Sequence, residues 1–314
     1  MHAYDIPENI PFASLMSRLV EVAESLARLD ERVKARGFGE GVAARLLYHE
    51  ACASRLAEGE LIHLEDLVLL DGGAYDGPMS PELSSGWETL RVWRKALAGD
   101  AGELLRAERP GEADAAALKV VAAPDYFFDP NWDEPGRLAA WRDVLRKSAA
   151  YPCLLAAGLV WDAWLTLMPE QRGAWRASLL AALTLRARGA TSALLLPLDV
   201  GVRHGRYRRA SSHGWGLRMA GFLEWVLVAS QQSGRELDRL ALAREMLALK
   251  LKGRRQGSKL PELVDLLVSR PLVSLPMAAK ALGVSWTAAD KMMRRLGSIP
   301  REMSGRQRYK VWAI

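Results

Sequence analysis

The side chains best suited to contact another molecule lie near the carboxyl end of this 314-residue sequence. Thr287, Lys291 and Arg294 follow one another at spacings that place them on one face of a helix. Trp286 and Asp290 fall on the same face. Hydroxyl, amino and guanidinium groups arranged in this way reach base edges and phosphates when a helix lies in the major groove of DNA. The pattern therefore predicts a DNA-contacting helix.

The segments around this helix predict the frame that would hold it. Leu275–Leu296 is typical of two short helices joined by a tight turn at Gly283, the helix-turn-helix arrangement. Ser285 is placed to cap the second of them, and Leu260–Val268 predicts a helix before the pair. The inward face of the last helix is expected to be apolar: Ala289, Met292 or Met293, and Leu296.

After Gly297 the sequence pattern changes to a period of two, and Ile299–Ile314 predicts a β-hairpin with its turn at Ser304 and Gly305. A basic hairpin in this place is typical of a winged helix-turn-helix. Trp286 has two interpretations, stacking on a sugar or a thymine methyl group, or packing against the preceding linker. We expect DNA contacts from the last helix and the hairpin: Ser285, Trp286, Thr287, Lys291, Arg294, Arg295, Arg301, Arg306, Arg308 and Lys310.

Charge is distributed unevenly along the chain. Residues 250–314 hold 14 Lys and Arg against 4 Asp and Glu, a balance of +10, whereas the whole chain is +6. Residues 1–249 therefore carry the difference, −4. A basic tail on a mildly acidic body favours binding to a polyanion. Small helical units of this kind also serve as protein-interaction modules, and that alternative stays open.

Length and periodicity predict two domains. Residues 1–252 have helical spacing nearly throughout, with Pro152–Leu167 expected to be the most buried helix. Trp215–Ser233 and Glu236–Lys252 are predicted as two successive helices. The polar, basic segment 253–259 predicts a hinge before the tail, residues 260–314.

Several classes of protein are disfavoured by the sequence. It has no apolar run of about 18 residues, no signal sequence, and only two cysteines, so we expect a cytoplasmic protein outside the membrane. No His or Cys spacing is typical of a metal site, and no phosphate-binding glycine loop occurs. Neither a metal nor another cofactor is therefore expected.

Two stretches of the body resemble Fic-domain proteins. Ser54, Glu58 and Gly59 match the motif that ends the inhibitory helix of that family, whose Glu blocks the productive pose of ATP. Pro152–Gly189 resembles the central Fic helix, the catalytic loop and the helix behind it. The family's catalytic His, metal-binding Asp and two Arg fall, in that order, on Leu167, Gln171, Trp175 and Ser178. The resemblance implies a Fic-like scaffold with no catalytic residue and a vestigial inhibitory motif.

Nearly the whole chain resembles an uncharacterised bacterial family that pairs domain of unknown function 1612 with a C-terminal helix-turn-helix. The segments that carry this resemblance include Glu58–Leu69, Asn131–Glu134, Leu183–Gly189, Asp238–Arg244 and Ser269–Ser274. It implies a mainly all-α fold, in which a Fic-like helical bundle precedes a winged helix-turn-helix with a small β-hairpin wing.

These observations favour a transcriptional regulator that binds double-stranded DNA. The body would serve dimerisation or the sensing of an effector that the sequence does not identify. Two alternatives remain, a divergent Fic-type nucleotidyl transferase working through another site and a protein-interaction adaptor.

Overall fold

The computed structural model describes residues 3–107, 129–251, 258–303 and 310–314. This part of the chain is mainly helical, with one small three-stranded sheet near its carboxyl end, which confirms the predicted all-α class. The body contains α1 (Phe12–Lys34), α2 (Gly39–Ala57), α3 (Leu64–Asp71), α4 (Pro81–Ala98), α5 (Ala101–Arg106), α6 (Glu134–Ser148), α7 (Cys153–Leu167), α8 (Arg176–Ala187), α9 (Leu198–His204) and α10 (Trp215–Leu251). The tail contains α11 (Leu260–Ser269), β1 (Val273–Ser274), α12 (Leu275–Leu282), α13 (Trp286–Leu296), β2 (Arg301–Glu302) and β3 (Val311–Ala313).

The core of the body is built around α7, as predicted. This helix packs against α6, α8 and α10, and every residue from Leu154 to Trp164 is buried. Neighbouring helices cover nearly all of its surface, and its side chains other than Asp162 and Thr166 are apolar or small. The indole N–H groups of Trp141 and Trp164 donate to the carbonyls of Val160 and Gly173 at 3.1 and 2.7 Å. These bonds satisfy the polar ends of two large core side chains.

One long helix, α10, replaces the two helices predicted at Trp215–Ser233 and Glu236–Lys252, and that prediction was wrong. A break was expected near Gly234, because glycine in a helix interior costs about 1 kcal/mol relative to alanine. Leu237 and Leu240, which follow it, are fully buried. Burying each leucine contributes about 1.5–3 kcal/mol, so packing outweighs the local preference.

Two buried carboxylates lie inside the body, on α2 and α9. Asp199 accepts hydrogen bonds from the hydroxyls of Ser54 and Ser178 at 2.7 and 2.6 Å. Glu50 accepts hydrogen bonds from the backbone N–H groups of Asp199 and Val200 at 3.0 and 3.1 Å. Burial raises the pKa of Asp199 to about 6, and burial followed by the charge of Asp199 raises the pKa of Glu50. Ionising this pair therefore costs the native state free energy.

The tail is a three-helix unit closed by a sheet of strand order β1-β3-β2, with both pairs antiparallel. Val273 lies opposite Trp312, and Arg301 lies opposite Ala313. The β2–β3 pair confirms the predicted hairpin, although residues 304–309 between the strands lie outside the described chain. β1 was not predicted, because two residues are too few for a period-two pattern.

The tail is held against the body by a buried guanidinium on α2. Arg45 is 3% exposed, and its Nη1 donates to the carbonyls of Leu267 and Arg270 at 3.1 and 2.5 Å. Its Nη2 donates to the carbonyl of Ile314 at 3.1 Å, and its Nε donates to Glu236 on α10 at 2.6 Å. One side chain thus connects two body helices to the end of α11 and to the last residue of the chain.

A second cluster lies nearby, around Asp71 at the end of α3. Its carboxylate accepts hydrogen bonds from Tyr48 at 2.6 Å, from Arg94, and from Arg270 of the tail at 2.8 Å. Burial alone would raise the pKa of Asp71, but these donors outweigh it and lower the pKa to about 2. Beside this cluster, the Met277 side chain of the tail packs closely on the backbone of Gly72. A Cβ at Gly72 would lie 2.5 Å from that side chain.

The hinge proposed at 253–259 stays a prediction, because residues 252–257 lie outside the described chain. The helices on either side of it, α10 and α11, pack against each other. In the described residues, the tail packs on the body along α2, α3 and α10.

Replacing Arg45 with alanine is expected to lower the free energy of unfolding by about 3–5 kcal/mol, as measured by chemical denaturation. Three tail carbonyls would lose their donor, and Glu236 would lose one of its two cations. Arg239→Ala is the matched control, because Arg239 also binds Glu236 but is largely exposed, and it should cost less than about 1 kcal/mol. Equal losses in the two variants would contradict the proposed role of Arg45.

Replacing Asp199 with asparagine is expected to change how stability depends on pH. The folded-state pKa of Asp199, about 6, lies above the unfolded value of 3.8, so wild type loses stability as pH rises from about 4 to 6. The variant lacks that loss, so its unfolding free energy relative to wild type should rise by about 3 kcal/mol across this window. Asp238→Asn, at an exposed position on α10, serves as the control in the same urea titrations. A difference between Asp199→Asn and wild type that stays constant with pH would refute the assignment.

Candidate nucleic-acid interface

The two helices α12 and α13 are set by local signals in the sequence. The Ser274 hydroxyl accepts the N–H of Met277 at 3.4 Å and caps α12. Gly283 ends that helix with φ 63° and ψ 37°, a left-handed conformation that glycine adopts without steric cost. The Ser285 hydroxyl then accepts the N–H of Ala288 at 3.3 Å and begins α13, which confirms the predicted turn and cap.

The two faces of α13 differ as predicted. The inward face is buried and apolar: Ala289, Met292, Met293 and Leu296. The opposite face is exposed and mostly cationic or polar: Trp286, Thr287, Lys291, Arg294 and Arg295. Packing on α12 therefore fixes the orientation of a helix whose outer face is accessible.

Two of the predicted contact residues form ion pairs within the tail. Arg294 donates to Asp290 at 2.9 Å, one helical turn before it, while its side chain remains 74% exposed. Both residues were expected on the outer face, and their i, i+4 spacing is typical of such an ion pair, which was not predicted. Lys310 donates to Glu302 at 3.1 Å across the β2–β3 pair. Both pairs are at the surface, where an ion pair is worth at most about 1 kcal/mol and can be exchanged for another anion.

The remaining predicted contacts fall in different places. Arg301 is exposed on β2, which follows α13 in the chain. Arg306 and Arg308 lie outside the described residues. Trp286 is 53% exposed at the first position of α13, so it does not belong to the core of the tail. Most of the linker against which it was alternatively expected to pack lies outside the described chain, so both interpretations of Trp286 stay open.

The positions that align with Fic catalytic residues make structural contacts. Leu167 is buried, and its carbonyl accepts from Arg137 at 2.7 Å. Gln171 exchanges hydrogen bonds with the backbone of Asp129 at 2.8 and 2.9 Å. Trp175 is buried, and the Ser178 hydroxyl donates to Asp199, as described above. None of these four side chains could supply a general base or a carboxylate metal ligand.

The residues of the predicted vestigial motif lie at the end of α2. Ser54 is fully buried and bonded to Asp199, which brings it together with Ser178. Glu58 accepts the backbone N–H of Trp175 at 3.1 Å and pairs with Arg55 at 2.8 Å. Gly59 follows with φ 85°, a conformation that favours glycine and ends the helix. The buried carboxylates Asp199 and Glu50 could not be predicted from the sequence, because their hydrogen-bond partners are more than 20 residues away along the chain.

The described residues contain no group of three or more His, Cys, Asp and Glu side chains placed to hold a metal ion. They also contain no helix both long enough and apolar enough to span a membrane.

Comparison with known proteins finds two family models along the chain. Residues 126–252 match the family model described as a protein of unknown function (DUF1612), and residues 260–314 match the model of an HTH DNA-binding domain. The crystal structure of a Fic family protein from Desulfovibrio desulfuricans G20 is similar with a TM-score of 0.48 and 16% identity, over 99% of this chain and 98% of that one. This degree of structural similarity does not carry the Fic resemblance further than the sequence motifs did.

A full-length relative is found in Sinorhizobium fredii (strain NBRC 101917 / NGR234). The uncharacterized protein y4cF of that organism is 33% identical over 382 aligned positions, which cover 99% of this chain and 100% of y4cF. With a helix-turn-helix DNA-binding domain at its carboxyl end, the chain belongs to the same protein family as y4cF.

Proposed function

We propose that the protein is a transcriptional regulator that reads double-stranded DNA with α13. The observation that carries this proposal is the contrast between the two faces of that helix. Its apolar face is fixed against α12, whereas Thr287, Lys291 and Arg294 are exposed on the other side. A rigidly mounted helix with donors at this spacing has the form needed to enter the major groove.

The β2–β3 hairpin is proposed to act as a wing beside this helix. Arg301 on β2, Lys310 before β3, and Arg306 and Arg308 in the intervening residues would contact the phosphate backbone. Phosphates would replace Asp290 and Glu302 as partners of Arg294 and Lys310, since those surface ion pairs are weak. Counterion release from the duplex would then supply much of the binding free energy.

The body is proposed to act as a scaffold in the cytoplasm rather than as a nucleotidyl transferase. Transfer of a nucleotidyl group needs a base for the target hydroxyl and an acidic ligand for the metal. The corresponding positions hold Leu167 and Gln171, and Ser178 is engaged with a buried carboxylate.

A second copy of the chain is the proposed partner of the body. Leu242, Met246 and Leu249 form an exposed apolar stripe at i, i+4 and i+7 on the half of α10 that leads to the tail. If two α10 helices packed antiparallel with Leu242 of each copy opposite Leu249 of the other, Met246 of both copies would lie beside the twofold axis. Such a self-complementary pattern fits a twofold interface.

The DNA contacts are tested with the double variant Lys291→Ala/Arg294→Ala. Fluorescence anisotropy with a labelled 30-base-pair duplex, repeated from about 50 to 200 mM salt, should show a loss of affinity of about 10- to 100-fold. The slope of log affinity against log salt should fall by about two, one for each phosphate contact removed.

The matched control for this experiment is Arg28→Ala/Arg146→Ala. Both arginines are as exposed as Arg294, and each pairs with an acid one turn away in its helix, but they lie on α1 and α6. Their loss removes the same formal charge and should leave the salt slope unchanged. If the two double variants weakened binding equally, α13 would not be the reading helix.

The dimer is tested with Leu242→Glu, which would place an unpaired carboxylate against Leu249 of the other copy. Sedimentation velocity at micromolar concentration should show a dimer for wild type and a monomer for the variant. Leu217→Glu is the control, because Leu217 is similarly exposed on the same helix but lies outside the stripe. A monomeric wild type, or a Leu242→Glu dimer, would rule out this interface.

A further inference from the structure

A cavity of about 490 Å³ lies between α2, α9 and α10, away from both the helix-turn-helix and the Fic-like loop. The segment that follows α2 closes its fourth side with Leu61, Ile62 and His63. Its volume is within the range of about 300–1,000 Å³ that small-molecule sites occupy. Much of the wall is apolar, with Leu46 and Leu56 among the contributing side chains.

The wall of this cavity also contains an unsatisfied polar group. The Ser233 hydroxyl on α10 is buried, at 1% exposure, and it has no hydrogen-bond partner within the described chain. A buried hydroxyl without a partner costs about 1–3 kcal/mol. Its oxygen is not accessible from the cavity in this structure, so a ligand atom forms the missing bond only after a small movement of the wall.

The charge around the cavity favours an anion. Arg203, His204 and His63 line it and are exposed, so their cationic or donor groups stand at the entrance. Glu236 is the carboxylate in the wall, but Arg45 and Arg239 already neutralise it. Burial, opposed by Glu236 and assisted by nearby arginines that include Arg203, lowers the pKa of His49 to about 4.

We propose that this cavity binds a small organic anion, a carboxylate or phosphate ester carried on a compact apolar group. The apolar group would lie against Leu46 and Leu56. The anionic head would face Arg203, His204 and His63, and a small movement of the wall would let an oxygen of the ligand form a hydrogen bond with the Ser233 hydroxyl. Arginine suits this role because its guanidinium binds carboxylates and phosphates with two parallel hydrogen bonds.

The site is connected to the tail through one side chain. Glu236 lines the cavity and binds Arg45 at 2.6 Å, and Arg45 holds the carbonyls of Leu267, Arg270 and Ile314. A ligand that reorders Glu236 or the adjacent turn of α2 therefore acts on the contact that orients the helix-turn-helix. This second part of the inference rests on the proposed DNA binding, whereas ligand binding itself does not.

Ligand binding is tested on the full chain by thermal shift and calorimetry with benzoate and phenyl phosphate, using benzyl alcohol as the neutral probe. At about ten times Kd, an anionic probe should raise Tm by about 2 °C, because it stabilises only the native state. Benzyl alcohol should give no shift. The anion that binds more tightly identifies the head group, and no shift with either anion would overturn the proposal.

Two variants locate the site. Arg203→Gln and Ser233→Ala should each weaken probe binding, the former by about tenfold or more. The control is Arg206→Gln, which removes an exposed arginine three residues further along that does not line the cavity. Equal binding to Arg203→Gln and Arg206→Gln would refute the assignment.

Coupling to the tail is tested by measuring duplex affinity with and without a saturating probe. We expect a change of about fivefold or more in wild type, within the usual range for allosteric coupling. The change should disappear in Glu236→Gln, which keeps the shape of the side chain but removes its charge. A probe that binds without altering duplex affinity would overturn the coupling alone. Absence of duplex binding in every sample would instead count against the proposed function and leave the cavity result standing.

Discussion

The buried guanidinium of Arg45 is the constraint on which the arrangement of this protein depends. A cation this deep in a protein would cost several kcal/mol if its donors were unpaired. It is retained because Glu236 balances its charge and three carbonyls of the tail use its remaining donors. Those carbonyls lie at the end of α11, just beyond it, and at the last residue. The tail therefore supplies the partners that make the body's buried charge tolerable, and the two parts of the chain stabilise each other.

This docking determines which surfaces of the tail remain accessible. α11 and β1 face the body, where α2, α3 and α10 cover them, and Arg270 completes the cluster around Asp71. The outer face of α13 is not used in these contacts and is exposed. The contacts of α11 and β1 with the body therefore set how the three-helix unit is oriented on it. Any change in the body that disturbs Arg45 or Asp71 would consequently reach the helix-turn-helix.

In the part of the body that resembles Fic proteins, the side chains at the aligned positions make structural contacts. Ser178 occupies a position where the resembling family has an arginine, and its hydroxyl binds Asp199 together with that of Ser54. Glu58, the counterpart of an inhibitory residue, binds the N–H of Trp175 and the side chain of Arg55. Asp199 also lies next to a second buried carboxylate, Glu50, which accepts its backbone N–H. Keeping both carboxylates ionised costs free energy, because burial raises the pKa of each.

Local patterns in the sequence determined much of the tail. The spacing of Ala289, Met292, Met293 and Leu296, the turn at Gly283 and the cap at Ser285 depend on neighbours within a few residues, so they could be predicted. The class of the body and the burial of α7 also follow from periodicity and apolar content. The ion pair between Asp290 and Arg294 in α13 was not predicted, although its i, i+4 spacing is a local signal.

Other features were decided only by the tertiary structure. The uninterrupted α10 depends on the burial of Leu237 and Leu240 against other helices, and the strand β1 exists only because β3 pairs with it. Arg45 contacts residues more than 190 positions away along the chain, and Asp199 binds Ser54 across 145 positions. Nothing in the local sequence distinguishes these buried charges from ordinary surface residues. The sequence alone thus determined the DNA-binding unit, because its signals are short-range, whereas its attachment to the body required long-range contacts.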